Sequence, residues 1–79
     1  MILNGKFVLI SMEKRESNGK LYYNANIESE DGKILRVGCD ADTANNVSQK
    51  YKEYNGLFEI GAYNGNMFMR LKDAALVQK

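Results

Sequence analysis

Residues 11–28 read SMEKRESNGKLYYNANIE, and the pair Asn18-Gly19 in this stretch sets the register of the strands on either side. An Asn-Gly pair is typical of a two-residue β-hairpin turn, because both residues readily adopt positive φ angles. The turn places Ser17 opposite Lys20, and the other cross-strand pairs follow by counting back from it. The pairs predicted in this way are Arg15 with Tyr22, Ser11 with Asn26, Met12 with Ala25, and Ile10 with Ile27.

A third strand follows this hairpin through the pair Asp31-Gly32. The pair suits a three-residue loop with glycine in the left-handed region, and such a loop places Ser29 opposite Lys33. A simple two-residue turn would instead place Arg36 against the apolar Ile27, so the longer loop is preferred. The resulting pairs are Leu35 with Ile27, Val37 with Ala25, and Arg36 with Asn26.

A second Asn-Gly pair, Asn64-Gly65, predicts another hairpin near the carboxyl end of the chain. The inner pairs of its register are Phe58 with Leu71, Ile60 with Met69, and Ala62 with Met67. The outer pairs are Glu59 with Arg70, Gly61 with Phe68, and Tyr63 with Asn66. An aromatic ring opposite a glycine often covers the glycine backbone, so Phe68 has this second interpretation, and Arg70 can simply pair with Glu59.

Between these strands the spacing of apolar residues changes to a helical period. The stripe predicts a helix over 42–54, with Asp42 as its N-cap and Asn55-Gly56 as its left-handed stop. Its members are Ala44, Val47, Tyr51 and Tyr54. The strands predicted around the helix span 6–15, 20–28, 33–39, 57–63 and 66–76. This order predicts a mainly β protein, a five-stranded OB-fold-like barrel with one helix between strands 3 and 4, in a single domain over 1–79.

The composition of the 79 residues excludes several classes of protein. With one cysteine and no histidine, the chain cannot form an internal disulfide or the commonest zinc sites, and Cys39 falls on the predicted inner face. The absence of a histidine base, a nucleophile motif and a phosphate-binding P-loop argues against an enzyme, and we expect no cofactor or metal. We expect a cytoplasmic protein without a membrane segment. A core this small is a reason to expect a homodimer.

Aromatic and basic side chains share the predicted outer face. Tyr22, Tyr63 and Phe68 offer flat rings on which unpaired bases can stack. The formal net charge is only +1, so a phosphate-binding surface must come from segregated charges. Arg36 stands out among the cations because it lies in mid-strand beside two asparagines. The predicted nucleic-acid-binding residues are Arg15, Lys20, Tyr22, Asn24, Asn26, Lys33, Arg36, Tyr63, Phe68 and Arg70.

Three short motifs lie at the start of two predicted strands and in the tail of the chain. They are Gly19-Lys20-Leu21-Tyr22 at the start of strand two, Gly56-Leu57-Phe58 at the start of strand four, and the tail Leu76-Val77-Gln78-Lys79. Together they resemble the small single-stranded DNA-binding proteins of filamentous phages, the helix-destabilising type, and related proteins of mobile elements.

That resemblance implies an OB-type barrel that forms a dimer and binds single strands cooperatively with little sequence preference. It also implies that Tyr22 is the stacking aromatic of the binding wing and that Phe68 or Tyr63 provides a second platform. The predicted helix over 42–54 is longer than the corresponding segment of that family.

The sequence therefore predicts a protein that coats or protects single-stranded DNA in the replication or transfer of a phage or mobile element, with replication proteins as further partners. Two alternatives remain open: a protein-protein adaptor that uses the Tyr63/Phe68 hairpin face, and a single-stranded RNA binder. Glu13 and Glu28 fall on the same outer surface and would repel phosphate. The usable surface should therefore be narrower than the whole sheet.

Overall fold

The computed structural model describes residues 1–77, so Gln78 and Lys79 of the predicted tail motif lie outside the described residues. The elements are β1 (Ile2–Ser17), β2 (Lys20–Ser29), β3 (Ile34–Cys39), α1 (Ala41–Asn46), β4 (Glu53–Tyr63) and β5 (Asn66–Leu76). The strands close into a barrel in the order β1-β2-β3-β5-β4. The prediction of a five-stranded OB-fold-like barrel with one helix between the third and fourth strands is confirmed.

The three predicted turns adopt the backbone conformations that their residues favour. The four residues of the two Asn-Gly turns have φ angles between 50° and 80°, and Gly32 in the third turn has a φ of 84°. The third turn is closed by the N–H of Ser29, which donates to the carbonyl oxygen of Lys33 at 2.9 Å. The predicted pairs of β2 with β3 and of β4 with β5 are confirmed.

The register of β1 with β2 is confirmed near the turn and shifts farther along. Ile27 pairs with Leu9, not with Ile10 as predicted, because a β-bulge lies between Leu9 and Ser11. The extra residue brings Leu9 and Phe7 onto the inner face, where both are buried. Burial of these two large side chains explains why the bulged register is favoured over the regular one.

The helix is the largest departure from the prediction. It spans Ala41–Asn46 instead of 42–54, and its N-cap is Asp40 instead of Asp42. The N–H of Thr43 donates to Oδ1 of Asp40 at 2.8 Å, which satisfies one free donor of the first turn. The helix ends at Asn45 and Asn46, and Ser48 follows. Short polar side chains of this kind compete for backbone hydrogen bonds and disfavour a helix interior.

The fourth strand begins at Glu53, earlier than predicted, so Asn55 and Gly56 lie inside a strand and do not stop a helix. Pairing with residues 5–8 of β1 on one side and 74–76 of β5 on the other supplies backbone hydrogen bonds for this segment. Tyr54 is buried, and its ring stacks on that of Phe7 with centroids 5.6 Å apart. Long-range pairing and core packing therefore override the local helical period.

The core lies inside the barrel, and α1 packs against its edge. Thr43 of α1 donates its hydroxyl hydrogen to the carbonyl oxygen of Lys72 at 3.1 Å, which ties the helix to β5. Of the predicted helical stripe Tyr51 is exposed, whereas the other three members are buried. The buried apolar residues are Phe7, Leu9, Ala25, Ile27, Val37, Cys39, Ala44, Val47, Tyr54, Phe58 and Leu71.

The tip of the β4–β5 hairpin departs from the expected burial although its register is correct. Ala62 and Met67 pair as predicted, but both are exposed because the two faces of the tip are open to solvent. Within residues 1–77 no helix has the length and apolar character needed to cross a membrane.

Candidate nucleic-acid interface

An open groove runs between the β1–β2 hairpin and the β4–β5 hairpin and reaches the end of β3. It is called the aromatic groove here. Its position matches the surface that OB-folds commonly use for oligonucleotides, beside strands two and three and between the two hairpin loops. The predicted site residues that line it are Arg15, Tyr22, Asn24, Tyr63, Phe68 and Arg70.

Tyr22 forms one wall of the aromatic groove. It lies opposite Arg15 in the β1–β2 ladder, as predicted, and its side chain is 44% exposed. The guanidinium carbon of Arg15 lies 5.9 Å from the centre of the Tyr22 ring, within the range of a cation–π contact. The pair therefore presents a ring for stacking and a positive charge for phosphate in one place.

The opposite wall comes from the β4–β5 hairpin. Phe68 lies across from Gly61, and a Cβ atom placed on Gly61 would be 2.6 Å from Cζ of Phe68. The ring therefore covers the glycine backbone, and Phe68 is still 39% exposed toward the groove. Tyr63, near the tip, is 73% exposed.

The base of the aromatic groove is formed where β3 meets β5. Gly38 of β3 pairs with Asn24 on one side and with Arg70 on the other, so the three residues form a row across the outer face. Gly38 has no side chain, and the floor between the amide and the guanidinium is correspondingly open. Arg70 lies opposite Glu59 in the β4–β5 ladder but forms no salt bridge with it, and the Glu59 carboxylate instead lies 4.0 Å from Nζ of Lys72.

Asp40 brings a negative charge to the aromatic groove. Its carboxylate is engaged by the N–H of Thr43, and this hydrogen bond holds the pKa of Asp40 below its ordinary value. The neighbouring Cys39 is buried, as predicted, and burial raises the pKa of its thiol. Asp40 therefore partly offsets the charges of Arg15 and Arg70, and Cys39 is in its unreactive protonated form.

Arg36, the cation that stood out in the sequence, lies outside the aromatic groove and is already paired. Its Nε atom lies 3.2 Å from Oε2 of Glu13. The same oxygen accepts a hydrogen bond from Nδ2 of Asn26 at 3.1 Å, and this nitrogen also donates to Oγ of Ser11 at 2.9 Å. The prediction placed Arg36 and Asn26 beside each other correctly, but it did not identify Glu13 as their common partner.

The two lysines of the predicted site lie at turns. Lys33 lies beyond Ser29, seven residues from Tyr22 along β2, a separation of roughly 23 Å. Its ammonium lies 3.7 Å from the carboxylate of Asp31. Lys20 follows the first turn, two residues from Tyr22, and is exposed. Lys20 can therefore contact a DNA strand where it leaves the aromatic groove, whereas Lys33 lies far from the groove.

A second cavity lies at the end of β3 where Leu35 is found, away from α1. It is smaller and mainly apolar, with walls that include Leu3, Phe58 and Met69. Its rim carries charges of both signs, and the aromatic rings of Tyr22, Tyr63 and Phe68 do not line it. We take the aromatic groove as the candidate interface because it alone joins exposed rings to arginines among the residues described.

Sequence reasoning missed Gly38 and Asp40 as parts of this surface. Both precede α1, and their position became visible only through the parallel contact of β3 with β5. No group of three or more metal-ligating side chains occurs within the described chain. Comparisons with protein-family models, curated proteins and solved structures find no match for the chain.

Proposed function

We propose that the protein binds single-stranded DNA without sequence preference, by stacking bases in the aromatic groove. The observation that carries the proposal is the convergence of Tyr22, Tyr63 and Phe68, from two different hairpins, on one groove that also contains Arg15 and Arg70. Every base has a face for stacking, so such a surface needs no base-edge recognition. Resemblance to phage single-strand binders extends the proposal to the protection of single strands during replication or transfer of a phage or mobile element.

The balance of charges makes stacking the larger contribution. Arg36 and Lys33 are paired with carboxylates, and Asp40 lies in the groove itself. Arg15 and Arg70 in the groove and Lys20 beside it remain to contact phosphates, which corresponds to a slope of about −2.1 in a plot of log affinity against log salt. We therefore expect a shallow salt dependence for a protein of this kind. The expected homodimer and replication partners belong to the same proposal.

The test is the binding of a labelled oligo-dT to the protein, measured by fluorescence anisotropy over a salt series while tyrosine emission is recorded. Tyr22→Ala should lower the affinity about 5- to 150-fold, because a stacked base contributes about 1–3 kcal/mol. Duplex DNA and the matching RNA are measured in parallel, because they distinguish a DNA binder from the RNA alternative.

Tyr51→Ala is the matched control for this experiment. Tyr51 is also an exposed tyrosine, but it lies in the segment between α1 and β4. Its removal should leave the affinity unchanged. Equal losses in the two variants, or no binding of oligo-dT by the wild-type protein at low salt, would refute the proposal. Either result would favour the adaptor, whose contact surface would be the Tyr63/Phe68 hairpin face.

A further inference from the structure

A polar network lies on the outer face of β1, β2 and β3 directly beside the aromatic groove. Glu13 is its centre, since Oε2 of this residue accepts from Asn26 and lies 3.2 Å from Nε of Arg36. Ser11 completes the network by accepting a second hydrogen bond from Asn26. The network thus joins all three strands through side chains that face solvent.

The ladder pairings give the distance from this network to the groove. Asn26 and Arg36 form the cross-strand pair next to Asn24 and Gly38 on the same face. Neighbouring pairs on one face are two residues apart, which is about 7 Å along a strand. A single-stranded DNA that lay over the whole outer face of the sheet would therefore pass from the groove directly onto Arg36.

We infer that Glu13 is a path-determining residue that confines the bound strand to the aromatic groove. Its carboxylate neutralises Arg36 and repels phosphate at the point where the strand would otherwise spread onto β1–β3. The inference rests on the single-stranded DNA binding proposed above. It assigns to Glu13 an effect on where the strand lies and on how many phosphates the protein neutralises.

A purely structural role for the ion pair is the weaker explanation. Both side chains are more than half exposed, and ion pairs in such positions contribute little to stability. The turns and the buried face already set the register of these three strands. Removing the charge of Glu13 should therefore leave the fold intact and change only the surface that a ligand meets.

The decisive variant is Glu13→Gln, which keeps an oxygen that can accept from Asn26 and removes the charge. It should bind oligo-dT about two- to fivefold more tightly at low salt, the effect expected of one exposed charge interaction. The salt slope should steepen by about 0.7, because the released Arg36 gains one phosphate. With Arg36→Ala as the background, Glu13→Gln should leave the slope unchanged.

Glu28→Gln is the matched control. Glu28 lies two residues from Asn26, on the same face of β2, and is exposed. It changes the net charge equally but is not a partner of Arg36, so its slope should equal that of the wild type. If oligo-dT binds and Glu13→Gln leaves the slope unchanged, or if Glu28→Gln has the same effect, the inference is wrong and the proposed function stands. If the wild type binds no oligo-dT, both fail.

Discussion

Two glycines of β4, Gly56 and Gly61, are each covered by aromatic rings, but at opposite ends of the strand. A Cβ atom on Gly56 would lie 2.7 Å from Cε1 of Phe7 and 2.8 Å from Cε2 of Phe58, two buried rings of the core. A Cβ atom on Gly61 would lie 2.6 Å from Cζ of Phe68, which is partly exposed at the aromatic groove. Gly61 is covered by its cross-strand partner, whereas Gly56 is covered by Phe58 of its own strand and by Phe7 of β1. The rings also differ in their surroundings.

This difference separates what maintains the fold from what forms the candidate site. A buried ring has neighbours on all sides, so it cannot move aside without disturbing the packing around it. A ring at the surface can rotate into solvent at little cost. Crowding at Gly56 should therefore change the stability of the barrel, whereas crowding at Gly61 should change the shape of the aromatic groove.

The largest expected effect is that of Gly56→Ala. The added methyl group overpacks the core against Phe7 and Phe58 and should lower the free energy of unfolding by about 1–3 kcal/mol. This loss exceeds the roughly 0.4–1 kcal/mol that alanine would contribute by restricting the unfolded chain. Urea unfolding followed by circular dichroism measures the change.

Gly5→Ala is the matched control, since Gly5 is the partner of Gly56 in the β1–β4 ladder. A Cβ atom there would lie 3.8 Å from Cε2 of Phe58, an ordinary contact. The stability of this variant should stay within about 0.5 kcal/mol of the wild type. If the two alanine variants lose equal stability, overpacking against Phe7 and Phe58 is not what makes Gly56→Ala destabilising, and the difference drawn between Gly56 and Gly61 is wrong.

An intermediate effect is expected at Asp40, which both caps α1 and lines the aromatic groove. Asp40→Ala should destabilise the protein by about 0.5–2 kcal/mol at neutral pH, whereas Asp40→Asn retains the cap and should change stability little. Because folding lowers the pKa of Asp40, its charge contributes stability above pH about 4, and this is lost as the pH falls through the folded value. Denaturant midpoints at pH 7 and pH 3 test this, and an equal acid loss in wild type and Asp40→Asn would contradict it.

The smallest effect on stability is expected from Gly61→Ala. The ring of Phe68 can swing outward, so the free energy of unfolding should change by no more than about 0.5 kcal/mol. Displacement of this platform should lower the affinity for oligo-dT about fivefold, the lower end of the effect of one stacked base. Urea unfolding and the anisotropy of labelled oligo-dT are measured on the same preparation. A loss of stability as large as that of Gly56→Ala would show that the two ends of β4 do not differ.

Most of the fold could be predicted from local turn chemistry. Asn18-Gly19 and Asn64-Gly65 each fix a hairpin register near the turn, and alternation then assigns the side chains of four strands to faces as far as the bulges near Ile10 and Leu57. The same reasoning brought Tyr22, Phe68 and Arg70 to the outer face, where the structure places them. These predictions succeeded because each depends on residues that are close in sequence.

The remaining features depend on contacts between distant parts of the chain. The bulge at Ile10 and the early start of β4 are set by burial of Phe7 against Tyr54, residues that are 47 positions apart in sequence. The helical spacing of apolar residues in 42–54 did not determine the structure there, because this long-range pairing stabilises a strand instead. The capture of Arg36 by Glu13 likewise depends on side-chain geometry across three strands, and a register alone does not determine it.

The closure of the barrel rests on its shortest ladder. Within the described residues, β3 and β5 meet in only two pairs, Gly38 with Arg70 and Cys39 with Leu71, and this contact forms the base of the aromatic groove. Free energies of local opening are lowest where few backbone hydrogen bonds and buried contacts must be broken. Local opening of the barrel should therefore be concentrated where β3 meets β5. A ligand that spans both hairpins would restrain that motion, and occupancy of the groove would then be thermodynamically coupled to amide-exchange protection of the whole sheet.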